Sequence, residues 1–478
     1  MTTLPNDIDT LKVLIKQLLA ENAQLKAENA ELRRRLGMDS HNSDKPPSSD
    51  GYQKKTVKPG LPKDKKGTKG GQVGHPGNTL KRVEEPDHVQ IHVPAQCQCC
   101  QRRFSEDEAQ IIHSRQIFDL PEPRLEVTEH RIGQVECCGI SHCGEYPFEV
   151  KASVHYGPGV RALIVKLSVE HKMPLEQISQ VFEDLYGYDL NSATIASTLE
   201  YGYHLAAVIE SQSMASLREA DTAHFDETGV RVEGKLRWLH TAATETHTHL
   251  FIHDKRGGEA LNSEASVLKD FTGTAVHDCW LPYFNFDNAR HILCGAQVLR
   301  ELTARAENGS LWAKEMREFL LDLYKMPRPL LAHEQVRQHY HIILAQAEFE
   351  EPPPQPSKRG KPKQSPGRNR LNRLRKHEDG VLAFTSGVPF TNNQAERDLR
   401  PAKVKQKVSG CFRTKGGARV YARLLATVST FRKQEMNVFT TLRDLFAHRP
   451  VVLVRYNNYS EKGSRSTQYP FKRYPSHN

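Results

Sequence analysis

No stretch of the 478 residues stays apolar for the roughly 20 positions that a membrane-spanning helix needs, so no span is expected. The N-terminus lacks the basic-then-apolar layout of a secretory signal. The chain is therefore expected in a reducing, cytoplasmic compartment. Nor is there an even set of cysteines to pair. There are nine, six of them between Cys97 and Cys143, which points to metal binding rather than disulfides. Acidic residues are in the minority, 57 against 67 Lys and Arg. The net charge of +10 and pI near 9.0 favour a polyanionic partner over an anionic membrane surface. With 37% hydrophobic and 26% charged residues, the composition is that of globular domains joined by polar linkers. At this length two to four domains are expected.

Residues 1–37 carry a heptad pattern. Leu11, Leu18, Leu25 and Leu32 recur every seven residues, preceded by Ile8, Ile15, Asn22 and Asn29, with Leu36 continuing the second series. This a/d seam, with Asn at a positions, predicts a leucine-zipper coiled coil and a homodimer through residues 8–36. Residues 38–82 form a linker rich in Ser, Pro, Gly and Lys. From Lys54 to Arg82 it has nine basic residues against Asp64 alone, too polar to bury a core and able to lie along phosphates. Residues 83–150 read as a small zinc-binding β module. Cys97 and Cys100 form one C-x2-C pair, and Cys138 and Cys143 a looser second pair. Cys99, Cys137, His92 and His142 are further candidate ligands. The runs IIHSRQIFDL and RLEVTEHRIGQVE alternate as strands do. Residues 151–212 predict helices, with one from Pro174 to Leu185, a turn at Gly187 and a second helix capped by Asn191 or Ser192. That layout fits a helix-turn-helix or a structural hairpin.

From residue 213 strand-like runs dominate. AHFDETGVRVEG sets Asp226 within a strand, KLRWLHTAAT and THLFIHD flank a turn, and a helix is expected around Gly257–Leu268. GTAVHDCW is then a short strand ending at Asp278. Three strands, a helix and a strand are the opening order of an RNase H-like α/β core, expected over 213–420. Between Asp278 and Glu396 lie 117 residues. HILCGAQVLRELTARAE, LWAKEMREFLLDLYKM and PLLAHEQVRQHYHIILAQAEFE predict a helical insertion at about 296–385. A Pro/Lys/Arg-rich segment that could contact phosphates follows. Residues 421–478 are expected to hold C-terminal helices and a disordered tail. The fold class is thus multidomain α+β.

One stretch, Phe390–Thr414, sets the acid Glu396 among the cations Arg397, Arg400, Lys403, Lys405, Lys407 and Arg413, which are the candidate DNA-binding residues. A carboxylate among cations suits a metal-binding acid acting on a polyanion. Phosphodiester chemistry needs an activated oxygen and a neutralised leaving group, which two divalent ions about 3.5–4 Å apart supply. Mg²⁺ (or Mn²⁺) prefers carboxylate oxygens. Asp226 is the candidate bridge between two ions, with Asp278 and Glu396 holding one each. Glu227, next to Asp226, is expected on the opposite face of the strand. Asn392 and Asn393 are expected to cap the helix of Glu396, and Pro401 to kink or end it.

The segments NSDKPPSSDG, GGQVGHPG, HFDETGVRVEGKLRWLHTA, FTGTAVHDCWLPYF, HILCGAQVLREL and VPFTNNQAERDLRPAKVKQKVSGCFRTKGGARVYARL carry a resemblance. In this order, from about residue 8 to 445, the chain resembles the large DDE transposase of the insertion-sequence-sixty-six family of bacterial mobile elements. The resemblance places the family's catalytic acids on Asp226, Asp278 and Glu396. It implies metal-dependent cleavage at the element's ends, followed by attack of the freed 3′-hydroxyl on target DNA. The implied partners are double-stranded DNA and small accessory proteins of the same element. The chain departs from the family's local string CNAHLLREL, which here reads CGAQVLREL: Gly295 replaces Asn and Gln297 replaces His. Glutamine cannot carry a proton as imidazole does. The alternative expectations are a non-enzymatic protein that binds element ends, and a structure-selective nuclease.

Overall fold

The computed structural model describes residues 7–36, 80–327, 333–354, 362 and 364–454. Most of the expected basic linker and the tail beyond residue 454 lie outside them. The described chain is mixed α+β, with fourteen helices and seven strands. None of these helices is long and apolar enough to cross a membrane.

Helix α1 (Ile8–Leu36) runs unbroken. Its heptad residues Ile8, Ile15, Leu18, Leu25 and Leu32 are each more than half exposed, so this part of the predicted seam packs against none of the described residues. From residue 80 to Gly157 the chain is mostly extended, apart from a hairpin of β1 (Gln134–Cys137) and β2 (Ile140–Cys143). Its two-residue turn, Cys138 and Gly139, has positive φ at both positions, as tight hairpins require. Of the two alternating runs, IIHSRQIFDL forms no strand, and RLEVTEHRIGQVE does so only at its last three residues, which open β1. Alternation gives a strand only where one face has something to bury against, and Ile117 and Leu120 remain 91% and 89% exposed.

Next come α2 (Pro158–Val165), α3 (Leu175–Tyr186), α4 (Ser192–Leu205) and α5 (Ala207–Arg218). Pro158 sits at the start of α2, where a missing N–H costs nothing. Helix α3 ends on Gly187 at φ 71°, and α4 begins at Asn191, whose side chain accepts from the Ala193 N–H at 2.8 Å. The expected helix–glycine turn–capped helix is present. Ile164, Ile178, Phe182, Leu190 and Ile195 are its buried core.

Strands β3 (Thr222–Val232), β4 (Lys235–Ala243) and β5 (Thr248–His253) form an antiparallel meander. The helix expected at 257–268 shrinks to one turn, α6 (Gly258–Leu261). Then β6 (Thr274–His277) and β7 (Arg290–Leu293) join parallel, giving the order β5-β4-β3-β6-β7 with β3 central. The sequence reading assigned the start of HILCGAQVLREL to a helix. Instead its first residues are β7, and α7 (Gly295–Ala306) starts only at Gly295. A segment ending in the buried pair Ile292 and Leu293, beside a free parallel edge, gains a ladder that a helix start does not offer.

Helices α7, α8 (Leu311–Lys325), α9 (His333–Glu350), α10 (Pro366–Lys376) and α11 (Glu378–Leu382) lie between β7 and α12 (Asn393–Ser409), and share a core around Leu302, Trp312, Met316 and Tyr340. Chain order ends with α13 (Lys415–Lys433) and α14 (Val438–Phe446). The expected boundaries at 212/213 and 420/421 fall inside α5 and α13. One face of the sheet, with Val230, Val232, Leu239 and Leu250, is buried with residues of α2, α5, α12, α13 and α14. The other face, with Ala223, Phe225 and Ala242, is covered by residues of the 261–289 stretch.

Candidate active site

Strand alternation decides which way the acids point. His224, Asp226 and Val230 share the β3 face toward α12, and Phe225 and Glu227 share the opposite face. In the β3–β6 register, Thr222 pairs with Thr274 and His224 with Val276. Continuing it by two residues sets Asp278, just past β6, beside Asp226 on a neighbouring strand about 4.8 Å away. Asp226 Oδ1 accepts from the Glu227 N–H at 2.8 Å, and Asp278 Oδ1 from the Trp280 N–H at 2.9 Å. Glu396 lies in the first turn of α12, where the helix dipole favours a carboxylate.

Asn392 ties these pieces together. It stands at the start of α12 and makes no side-chain cap bond, contrary to its expected role. Its Nδ2 donates to the Phe225 carbonyl at 2.8 Å, which leaves Oδ1 to accept from His224 Nδ1–H at 3.1 Å. Its backbone N–H donates to Cys294 Sγ at 3.2 Å. The residue is buried, and burial pushes the His224 imidazole toward its neutral form, consistent with that single donated proton. Three elements, β3, the β7–α7 junction and α12, therefore meet on one asparagine. The sequence reading saw it only as a cap. The available signal was an asparagine pair before an acid in an otherwise polar helix.

Burial raises the Asp226 carboxyl well above its ordinary range, and repulsion from Glu227, Asp278 and Glu396 adds to the shift. Glu227 is compensated on the other face: its side chain takes Arg256 Nε at 2.7 Å and the Tyr283 hydroxyl. It points to the opposite face from Asp226, as the alternation predicted. Among the described residues no group of three or more His, Cys, Asp or Glu lies close enough to hold a metal ion. The acids thus converge on one another's fields without closing into a ligand cage. A divalent cation would relieve the repulsion that raises the Asp226 carboxyl.

Around them, α7 presents Gln297 and, one turn on, Arg300, whose Nη2 stands 4.0 Å from Glu396 Oε1. The Asn-to-Gly departure at 295 has a packing reason. A Cβ on Gly295 would lie 2.3 Å from the Phe390 ring, and the Gly295 N–H donates to the Phe390 carbonyl at 2.8 Å. On the back of α12, buried Asp398 accepts from Lys433 Nζ at 2.6 Å, Ser429 Oγ at 3.0 Å and Thr248 Oγ1 at 3.2 Å, anchoring the helix to α13 and β5.

The basic window divides. Arg397, Arg400, Lys407 and Arg413 are exposed. Lys403 Nζ donates to the Gly229 carbonyl at 2.6 Å, and Lys405 Nζ to the Met173 carbonyl at 3.0 Å. Burial lowers both ammonium groups, Lys405 to about 8. These two lysines tie α12 to β3 and to the start of α3, Lys403 from the surface and Lys405 half-buried, so both ammonium groups are engaged within the protein. The helix also runs through Pro401, so of the expected kink or end the structure excludes the end. Buried Leu399 and Ala402 on either side hold it in place. The arginines of α10 are likewise spent: Arg370 and Arg373 on Glu301, Arg368 and Arg375 on Glu348.

In the cysteine-rich module, the Gln101 N–H donates to the Cys97 carbonyl at 3.0 Å, forming a tight turn that holds Cys97 and Cys100. Hydrogen bonds from Cys100 and Cys99 hold the Cys97 thiol below its ordinary range. The hairpin puts Cys138 at its tip and Cys143 at the far end of β2, while Cys137 and Cys138 sulfurs are 3.6 Å apart. The four predicted ligands are thus not drawn into one set.

No curated protein matches the chain. Residues 2–81 match a family of unknown function, DUF6444. Residues 153–420, more than half of the chain, match the transposase IS66 family. That span contains β3, β6 and the start of α12 with all three acids, and on this match the chain belongs to the transposase IS66 family.

Proposed function

We propose that this transposase cuts DNA at the ends of its element and joins the freed 3′-hydroxyl to target DNA, with Asp226, Asp278 and Glu396 as the catalytic acids. The observation that carries the reading is the convergence at Asp226: the β3–β6 register sets Asp278 beside this half-buried acid, and Glu396 on the first turn of α12 is near enough to raise its carboxyl further. The strand order, with an antiparallel meander flanked by two parallel strands, is the arrangement an RNase H-like core requires. In the first step a water oxygen attacks phosphorus and the bond to the 3′-oxygen breaks. In the second, that 3′-hydroxyl attacks a target phosphodiester and displaces its 3′-oxygen. The bonds exchanged are of one kind, so no external energy source is needed.

Mg²⁺ or Mn²⁺ bound by the three acids would supply activation of the attacking oxygen and neutralisation of the leaving one. Asp226 would lie between two such sites, with Asp278 and Glu396 on either side. Asn392 keeps the start of α12 against β3, so Glu396 stays within reach of the strand acids. Arg397, Arg400, Lys407 and Arg413 lie exposed on or just after the same helix and would contact phosphates on either side of the cut. Gln297, in place of the family's His, can orient a group by hydrogen bonding but moves no proton, so this copy would work slowly. Zinc would be held by Cys97 and Cys100 with cysteines of the hairpin, Cys138 and Cys143 or Cys137. A dimer would form through α1.

The test uses oligonucleotides carrying the terminal inverted repeats that flank the gene. Metal-dependent strand transfer that disappears in Asp226→Asn is the expected result. Binding without cutting under any metal would instead support an end-binding protein, and cutting without joining a nuclease.

A further inference from the structure

Five arginines have a buried Nε with no hydrogen-bond partner among the described residues: Arg218, Arg237, Arg300, Arg305 and Arg423. Four of them have a carboxylate oxygen within 3.4 Å of another guanidinium atom or of Nε itself: Arg218 with Asp270, Arg237 with Asp254, Arg305 with Glu351 and Arg423 with Glu210. Arg300 does not. Its nearest carboxylate, Glu396, is at 4.0 Å, beyond a hydrogen bond. A half-buried guanidinium without a bonded acceptor is costly, and such groups mark places where a partner arrives later.

Its position says which partner. Arg300 stands in the second turn of α7, with Glu396 across from it and Cys294 at the foot of the same helix. The three acids of the site all repel an approaching phosphate. A cation must offset that repulsion where the backbone enters, and α12 turns Lys403 and Lys405 away to backbone carbonyls. A guanidinium presents two parallel N–H groups that match two phosphate oxygens.

We propose that Arg300 grips the DNA phosphate at the cut site, exchanging its loose pairing with Glu396 for a two-pronged bond to the phosphate oxygens. The assignment rests on the proposed function, and it makes Arg300 a substrate-contacting residue. Full-length wild type, Arg300→Gln and Arg300→Lys are compared for binding to duplexes carrying the terminal repeat, in EDTA and across a salt series. Each duplex is made with an ordinary phosphate or with a neutral methylphosphonate at the cut position. The methylphosphonate is expected to weaken wild-type binding roughly tenfold and to leave Arg300→Gln unaffected. Arg300→Gln should also lower the slope of log affinity against log salt by about 1, and Arg300→Lys should keep the wild-type slope. Thermal melting checks that both variants fold.

If Arg300→Gln keeps the wild-type slope and still responds to the methylphosphonate, the assignment is overturned while the proposed function stands. An Arg300→Gln that melts early, with Arg300→Lys no better in slope or in methylphosphonate response, also overturns it, in favour of a structural role. A wild type with no affinity for the repeat sinks the proposed function and this assignment together, whereas cutting that survives Asp226→Asn sinks the choice of acids alone.

Discussion

Asp226 is held in the folded protein against its own chemistry. Burial and the neighbouring carboxylates raise its folded pKa above the unfolded value, so the folded state binds its proton more tightly. The associated stability is present at low pH, below the unfolded value near 4, and is lost as pH rises through the folded value. Asp226→Asn should therefore melt with wild type near pH 4 and above it at pH 8 in EDTA, while losing strand transfer. Equal melting curves at both pH values would refute the sign. Asn392 works in the opposite sense. Asn392→Ala leaves the His224 N–H and the Phe225 carbonyl buried without partners, at a cost of about 3 kcal/mol in denaturant unfolding. The acids at 226, 278 and 396 could be picked from the sequence because carboxylates at strand ends and in a basic helix stand out against their surroundings. Asn392 and Arg300 could not, because their roles depend on residues 168 and 96 positions away in the chain.

At the scale of elements, α1 carries a seam that nothing described in the chain covers. Leu18→Lys with Leu25→Lys should convert a dimer to a monomer by light scattering, leaving the far-ultraviolet signal of the rest intact. An unchanged mass would remove the zipper from the assembly. The cysteine turn and hairpin make a second case. Purified protein should contain about one zinc per chain, and Cys97→Ser with Cys100→Ser should lose it. Zinc retained by that double variant would place the ligands elsewhere. The α1 helix and the turn holding Cys97 and Cys100 were legible because heptads and C-x2-C pairs are local patterns. The strands expected at 111–120 and over most of 124–136, and the helix expected over His291–Leu293, differ from the structure for one reason. Alternation and short apolar runs take their conformation from whatever lies beside them, which is open solvent in the first case and β6 in the second.

For the whole molecule, the excess of ten positive charges overstates what DNA can reach. Arginines of α10 are paired with glutamates, and Lys403 and Lys405 are bonded to backbone carbonyls. Replacing Arg397, Arg400 or Arg413 by Gln should each lower the salt slope of DNA binding by about 1. The same change at Lys403 or Lys405 should leave the slope alone and lower the melting temperature. A lowered slope for the two lysines would return them to the interface.

Local pattern in the sequence was enough to read the mixed α+β class, the central strand of Asp226 and the glycine turn between α3 and α4, because each depends on residues close together in the chain. Tertiary structure alone decided which cations remain free, that one asparagine joins β3 to α7 and α12, and that Gly295 makes room for Phe390. Those outcomes depend on contacts between residues far apart in sequence, and periodicity carries no record of them.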